Sequence, residues 1–202
     1  LALGTQTGGS VIRPSAFCGI FGYKPTFGLI PRSGLPPQAH SLDTVGVMGR
    51  CVEDLALIGD ALVRHDPGDP TSLDAARGGL RTTALQDPPL KPLFGFVKTH
   101  AWTDAYPRTH EAFGELVDML GGQVRDVQIE HTTERGSAAA ITIQLVELAH
   151  HYGPLLDRAP DQVSPGLAGR IEEGRRIPAS QYVAALLYRA DADRAFREIF
   201  LN

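Results

Sequence analysis

The stretch "GTQTGGSVIRPSAFCGIFGYKPTFGLIPRSGL", residues 4–35, decides how this 202-residue sequence is read. The preceding residues continue into it as "LALGT", which reads as the end of a buried strand. Residues 4–10 then form a glycine-rich turn with one serine, Ser10, at its end. Three chemistries use such a loop. The first cradles phosphate. "GTQTGGS" has the outer frame of G-x-x-x-x-G-K-S but lacks the lysine that reaches the terminal phosphates. The second is a plain turn, in which Gly8 and Gly9 supply positive φ and Ser10 caps the next element. The third is nucleophilic catalysis. Small residues leave backbone N–H groups free to face a developing oxyanion, and the serine hydroxyl needs a base brought from elsewhere. The spacing is not the G-x-S-x-G elbow. The loop by itself leaves the turn and the nucleophile open.

The bulk of the chain narrows the classes. The length suits one large domain or two small ones and permits a real core. A net charge of −4 gives no electrostatic reason to expect direct contact with nucleic acid. No apolar run approaches the roughly 20 residues that span a bilayer, so no membrane partner is expected. Two cysteines, Cys18 and Cys51, are too few for a disulfide framework and lack metal spacing. They read as small buried residues, with a reducing cytoplasm as the default setting.

Along the chain, residues 18–37 are short apolar pieces broken by Gly and Pro, hence irregular loops and short strands. Val52, Leu55, Ile58 and Leu62 fall at helical spacing behind Glu53 and Asp54 in a first turn. Residues 65–92 read as a long surface loop. A βαβ-like pattern follows: a strand over 92–97, an amphipathic helix over 108–122 closed by glycine, and an alternating strand over 123–129. The last third is helical, beginning with "AAAITIQLVELAHHYGPLL" and ending in a segment for which Ser180 is the expected N-cap. The order predicts an α/β fold with helices layered on a sheet, divided as 1–64, 65–92 and 93–202. Both ends look cut.

The residues around the loop carry a resemblance. Residues 4–35, followed by "SLDTVGVMGRCVEDLAL" at 41–57, resemble the amidase signature family. That family typically reads "GTDTGGSIRxPAAFCGxxGxKPTxGxxxxxGL" and then "SLDxxGPMARTVxDxAL". The resemblance implies an α/β/α layered fold with a mixed sheet, of which this chain is an internal fragment. It implies hydrolysis of a small-molecule amide by a serine–serine–lysine triad, with no cofactor and no metal. Ser10 takes the place of the nucleophile. Thr7, Gly8, Gly9 and Ser10 take the place of the oxyanion hole. The bridging serine and the lysine lie upstream in the family and have no counterpart here. Lys24 occupies a non-catalytic family position, and Lys91 and Lys98 lie beyond the motifs. The fragment alone is therefore expected to be inactive.

Two departures are informative. The family's usual Asp is Gln6, and "PMAR" is "VMGR" at 47–50. Gln6 with "SVIRP" is similar to a malonamidase-like branch. That implies substrate contacts from Gln6 and Arg13, with Arg13 on a carboxylate; pairing of Arg13 with an internal acid is the alternative. Asp43 is expected to anchor loops beneath the site. His150 and His151 are expected on a solvated helix face rather than lining the pocket, and His40 has no pattern around it. The amidase component of a tRNA-dependent amidotransferase, a non-catalytic binding module and a homo-oligomer stay open.

Overall fold

The computed structural model describes residues 1–74 and 78–201. The chain is α/β and divides into two compact units. Leu1–Gln86 with Ile141–Pro178 form the first, and Asp87–Ala140 with Ala179–Asn202 form the second.

The first unit is built on an antiparallel sheet. Strand β1 (Ala2–Gln6) and strand β2 (Phe21–Tyr23) flank a central strand β3 (Thr44–Gly49). Ala2 pairs with Met48 and Gln6 with Thr44; Phe21 pairs with Gly49 and Tyr23 with Val47. Side chains alternate between faces along a strand, so Val45 and Val47 share one face. Val45 joins Ile30 and Val63 in a buried cluster there. Gly4, Gly46 and Gly22 lie on the opposite face. This paving lets a short helix, α1 (Ile12–Phe17), come close. A Cβ at Gly46 would lie 2.9 Å from a Val11 methyl, and one at Gly22 would lie 2.5 Å from Ser15 Oγ. Strand β3 lies in a stretch read for its helix start alone, because two glycines dilute its alternation.

Helix α2 (Val52–Leu62) forms as the spacing predicts, with Glu53 and Asp54 complementing its N-terminal dipole. Cys51 is half-buried and Cys18 is exposed, so neither is the buried residue that was expected. The described residues of 65–92 are more ordered than a surface loop. Asp69 is only 5% exposed, and helix α3 (Leu80–Ala84) forms at its end. The cap of α3 is remote in sequence: Asp60 of α2 accepts from the N–H groups of Gly79, Leu80 and Arg81.

Strand β4 (Phe94–Val97), helix α4 (Pro107–Leu120) and strand β5 (Val124–Val127) realise the βαβ pattern in the second unit. The two strands are parallel, and Gly121 at φ 54° ends the helix. Helix α5 (Glu130–Arg158) begins ahead of the apolar run that predicted it, since residues 131–135 carry no apolar stripe. Helix α6 (Pro165–Arg176) packs on α5 around Leu148, Val163 and Ile171. Ser180 is not a cap: helix α7 (Ala179–Leu201) already includes it. No described helix is long and apolar enough to cross a membrane.

Candidate active site

Strand β1 delivers residues 7–10 to the edge of the first unit. Gly8 and Ser10 are exposed, while Gln6 is buried. Neither Gly8 nor Gly9 has a positive φ, so the positive-φ turn is corrected: the glycines that adopt it are Gly19, Gly28, Gly34, Gly79 and Gly121. Packing does not require glycine here either. A Cβ at Gly8 would meet nothing within 4 Å, and one at Gly9 would meet only Arg13. Ser10 does not cap α1, whose N-cap is Val11 with no side-chain cap bond. The turn is therefore open at Gly8 and Ser10, both exposed, with Arg13 alone beside Gly9.

The flanks of the turn are tied down. The Gln6 side-chain oxygen accepts from the N–H groups of Val11, at 2.9 Å, and Ile12, at 3.0 Å. The Arg13 N–H donates to the Gly9 carbonyl at 2.9 Å. Gln6 thus spends its carbonyl on the chain itself. Arg13 is exposed and, among the described residues, has no acidic partner. Its guanidinium carbon would lie 4.0 Å from a Cβ on Gly9, so positive charge sits one residue from Ser10. The sequence reading placed Gln6, Thr7, Gly8, Gly9, Ser10 and Arg13 at one site; here the Gln6 side-chain oxygen is taken by backbone N–H groups, and Arg13 lies beside Gly9.

Beneath the turn, Asp43 does anchor loops. Its carboxylate accepts from the Thr7 hydroxyl and from the backbone N–H groups of Gln38, at 2.7 Å, and Ala39, at 2.9 Å. The loop carrying it is braced from two sides. Ser41 donates through its N–H and hydroxyl to Glu147 of α5. Arg32 donates to the carbonyls of His40 and Asp43 and pairs with Asp69 at 3.5 Å. Burial would push Asp69 up, but hydrogen bonds from Thr71 and Arg32 outweigh it and hold the carboxyl well below the usual range. A cavity of about 190 Å³ opens here, walled by Arg32, Gln38, His40, Asp43 and Asp69 among others; Ser10 and Arg13 are not in its wall.

His150 is exposed as expected, but His151 is half-buried. Burial lowers its imidazole pKa, the charge of His150 adds to that, and Glu147 opposes it. Lys24 donates to the Pro25 carbonyl, and burial lowers its amine. Arg32, Gln38, Asp69 and Glu147 were missed by sequence reasoning. No local pattern marks them, since their partners lie up to 106 positions away.

Comparison with known proteins agrees with this picture. An Amidase family model matches residues 1–197. A Glutamyl-tRNA(Gln) amidotransferase subunit from Thermus thermophilus is 45% identical over 130 residues, 63% of this chain and 27% of that protein. Its counterpart in Gloeobacter violaceus is 36% identical over 204 residues, 93% of this chain and 41% of that protein. Among solved structures, a vestigial protein complex bearing on the origins of an s-triazine catabolic enzyme superposes with a TM-score of 0.84. It is 30% identical, covering 97% of this chain and 43% of that one. The 6-aminohexanoate cyclic dimer hydrolase shares the fold at TM-score 0.75 and 21% identity, covering 98% of this chain and 44% of that one. The chain therefore spans less than half the length of these relatives. With residues 1–197 matched and the signature stretch folded around Ser10, the chain belongs to the amidase signature family.

Proposed function

We propose that this chain carries the nucleophile of an enzyme that hydrolyses a carboxylic amide C–N bond. The observation that supports this most is the turn itself. Ser10 is exposed at the end of two glycines that neither φ nor packing requires, and the guanidinium beside Gly9 has no acidic partner among the described residues. In this reading Ser10 Oγ attacks the amide carbonyl. Its proton passes through a bridging serine to a lysine, both from sequence upstream of Leu1, as the family resemblance implies. The N–H groups of Thr7 to Ser10 take the oxyanion. The C–N bond breaks as the amine leaves with a proton, and water then releases the acid from Ser10. A buried lysine serves as base because desolvation lowers its pKa toward neutrality.

Arg13 is the residue to recognise a carboxylate on the substrate, since its guanidinium has no acidic partner among the described residues and suits a bidentate anion. The first relatives support a second reading, in which the same Ser10 chemistry works inside an amidotransferase. Steady-state kinetics on the polypeptide that includes the upstream sequence tests both. Ser10→Ala should remove hydrolysis by several orders of magnitude. Arg13→Ala should raise KM for carboxylate-bearing amides far more than for neutral ones. Near-normal kcat in the first variant rejects the nucleophile, and equal effects in the second reject the anion site. Turnover that depends on a partner protein favours the second reading.

A further inference from the structure

We infer that Asp43, acting through the Thr7 hydroxyl, is the positioning residue that holds the oxyanion turn in its working shape. This rests on the reading of Ser10 as nucleophile. An oxyanion site works only when its donors are already aimed before charge develops, so something must hold a turn that has no packing of its own. A Cβ at Gly8 would touch nothing, and one at Gly9 would meet only the exposed side chain of Arg13. Gln6 and the Arg13 N–H tie the flanks. Within residues 7–10, among the described residues, Thr7 has the side chain that is hydrogen-bonded to the body of the unit.

Counting hydrogens fixes the direction of that tie. A hydroxyl has one hydrogen and a carboxylate has none to give, so Thr7 donates to Asp43. The Gln38 side chain also faces Thr7 Oγ1, at 3.1 Å, with its oxygen assigned to that side. A single hydrogen is spent best on the carboxylate, and turning the Gln38 amide so that its NH₂ group faces Thr7 lets Gln38 donate to Oγ1 while Thr7 donates to Asp43. Thr7 Oγ1 is then held between a donor and an acceptor, which fixes its rotamer and ties the start of the turn to the body of the unit. Asp43 can impose this because it is buried and tied down. It is 8% exposed, its second oxygen takes two backbone N–H groups, and its loop is braced by Glu147 and Arg32.

The test uses the polypeptide that includes the upstream sequence, with Thr7→Val, Thr7→Ser, Asp43→Asn and the Thr7→Val/Asp43→Asn pair. Removing a whole oxyanion donor costs about 10²–10³ in kcat, so a misaimed one should cost about 10- to 100-fold. Thr7→Val should lose that much kcat with KM nearly unchanged, and Thr7→Ser should restore most of it. Asp43→Asn should match Thr7→Val, and the pair should lose no more than either alone. Thermal melts show whether each variant is folded, and the near-isosteric Thr7→Val keeps the test alive if Asp43→Asn is not. A fluorophosphonate probe separates the two readings. Labelling of the unmutated enzyme at Ser10, with full kcat in Thr7→Val, overturns the positioning role alone. Additive losses in the pair, or a rise in KM with kcat intact, also overturn it. An unmutated enzyme that escapes labelling at Ser10 overturns the nucleophile, and the positioning role with it.

Discussion

Gly46→Ala should damage the sheet and the turn at residues 7–10 together. Gly46 sits in the central strand, opposite Gly4, on the face that carries α1. A Cβ there would lie 2.7 Å from the Tyr23 carbonyl oxygen and 2.9 and 3.0 Å from the two Val11 methyls. Ordinary contact begins at 3.4 Å. Val11 is fully buried, so it has no free space to retreat into, and it is the residue next to Ser10. Overpacking of this kind costs about 1–3 kcal/mol. Alanine recovers about 0.5–1 kcal/mol of strand preference over glycine. The clash with the Tyr23 backbone oxygen puts the overpacking in the upper half of that range, so the net loss is about 1–2.5 kcal/mol, or a Tm lower by roughly 2–10 °C for a chain of this size. Val11→Ala alone should lose about 1.6 kcal/mol for two buried methyl groups, plus a term for the cavity. Together the substitutions should lose about 1 kcal/mol less than their sum, because the new methyl enters space that Val11 vacates. The Tyr23 contact keeps that rescue partial. Urea unfolding of the four proteins measures the cycle. Strict additivity, or an unchanged Tm in Gly46→Ala, would refute the close approach of α1 to the glycine face.

Two other perturbations probe the supports of the site. A Cβ at Gly174 would lie 2.0 Å from the Leu145 carbonyl oxygen, so Gly174→Ala must push α6 off α5. It should cost at least the upper end of the overpacking range, about 3 kcal/mol; a urea midpoint equal to that of the unmutated protein would refute that packing. Asp69 is held below the ordinary carboxylate range, so its stabilisation is full above about pH 4 and is lost as pH falls further. Asp69→Asn should therefore lower stability at neutral pH and flatten the decline between about pH 4 and pH 2, and an acid limb of unchanged steepness would contradict this.

What the sequence disclosed and what it hid follow from the range of the interactions. The turn at 7–10, helix α2 and the β4–α4–β5 pattern were legible because their signals are local: small residues in a run, helical spacing, alternation and a closing glycine. Strand β3 was hidden by Gly46 and Gly49, which serve close packing and carry no strand preference of their own. Helix α3 was hidden because its cap, Asp60, is about twenty positions upstream. The anchoring role of Asp43 was legible through the motif it sits in, but its bracing by Glu147, 106 positions from Ser41, was not. Cys18 was misplaced for a related reason. A small apolar residue is buried only when something covers it, and the described residues leave it exposed.

The central claim is that Ser10 is an activated nucleophile in the intact enzyme. It is tested most directly by treating the polypeptide that includes the sequence upstream of Leu1 with a fluorophosphonate probe and mapping the adduct by mass spectrometry. The predicted result is stoichiometric labelling at Ser10, abolished in Ser10→Ala, and little or none in residues 1–202 alone, which lack the upstream lysine and serine that the proposal invokes as base and relay. Labelling of the intact enzyme at another residue, with Ser10 untouched, would contradict it.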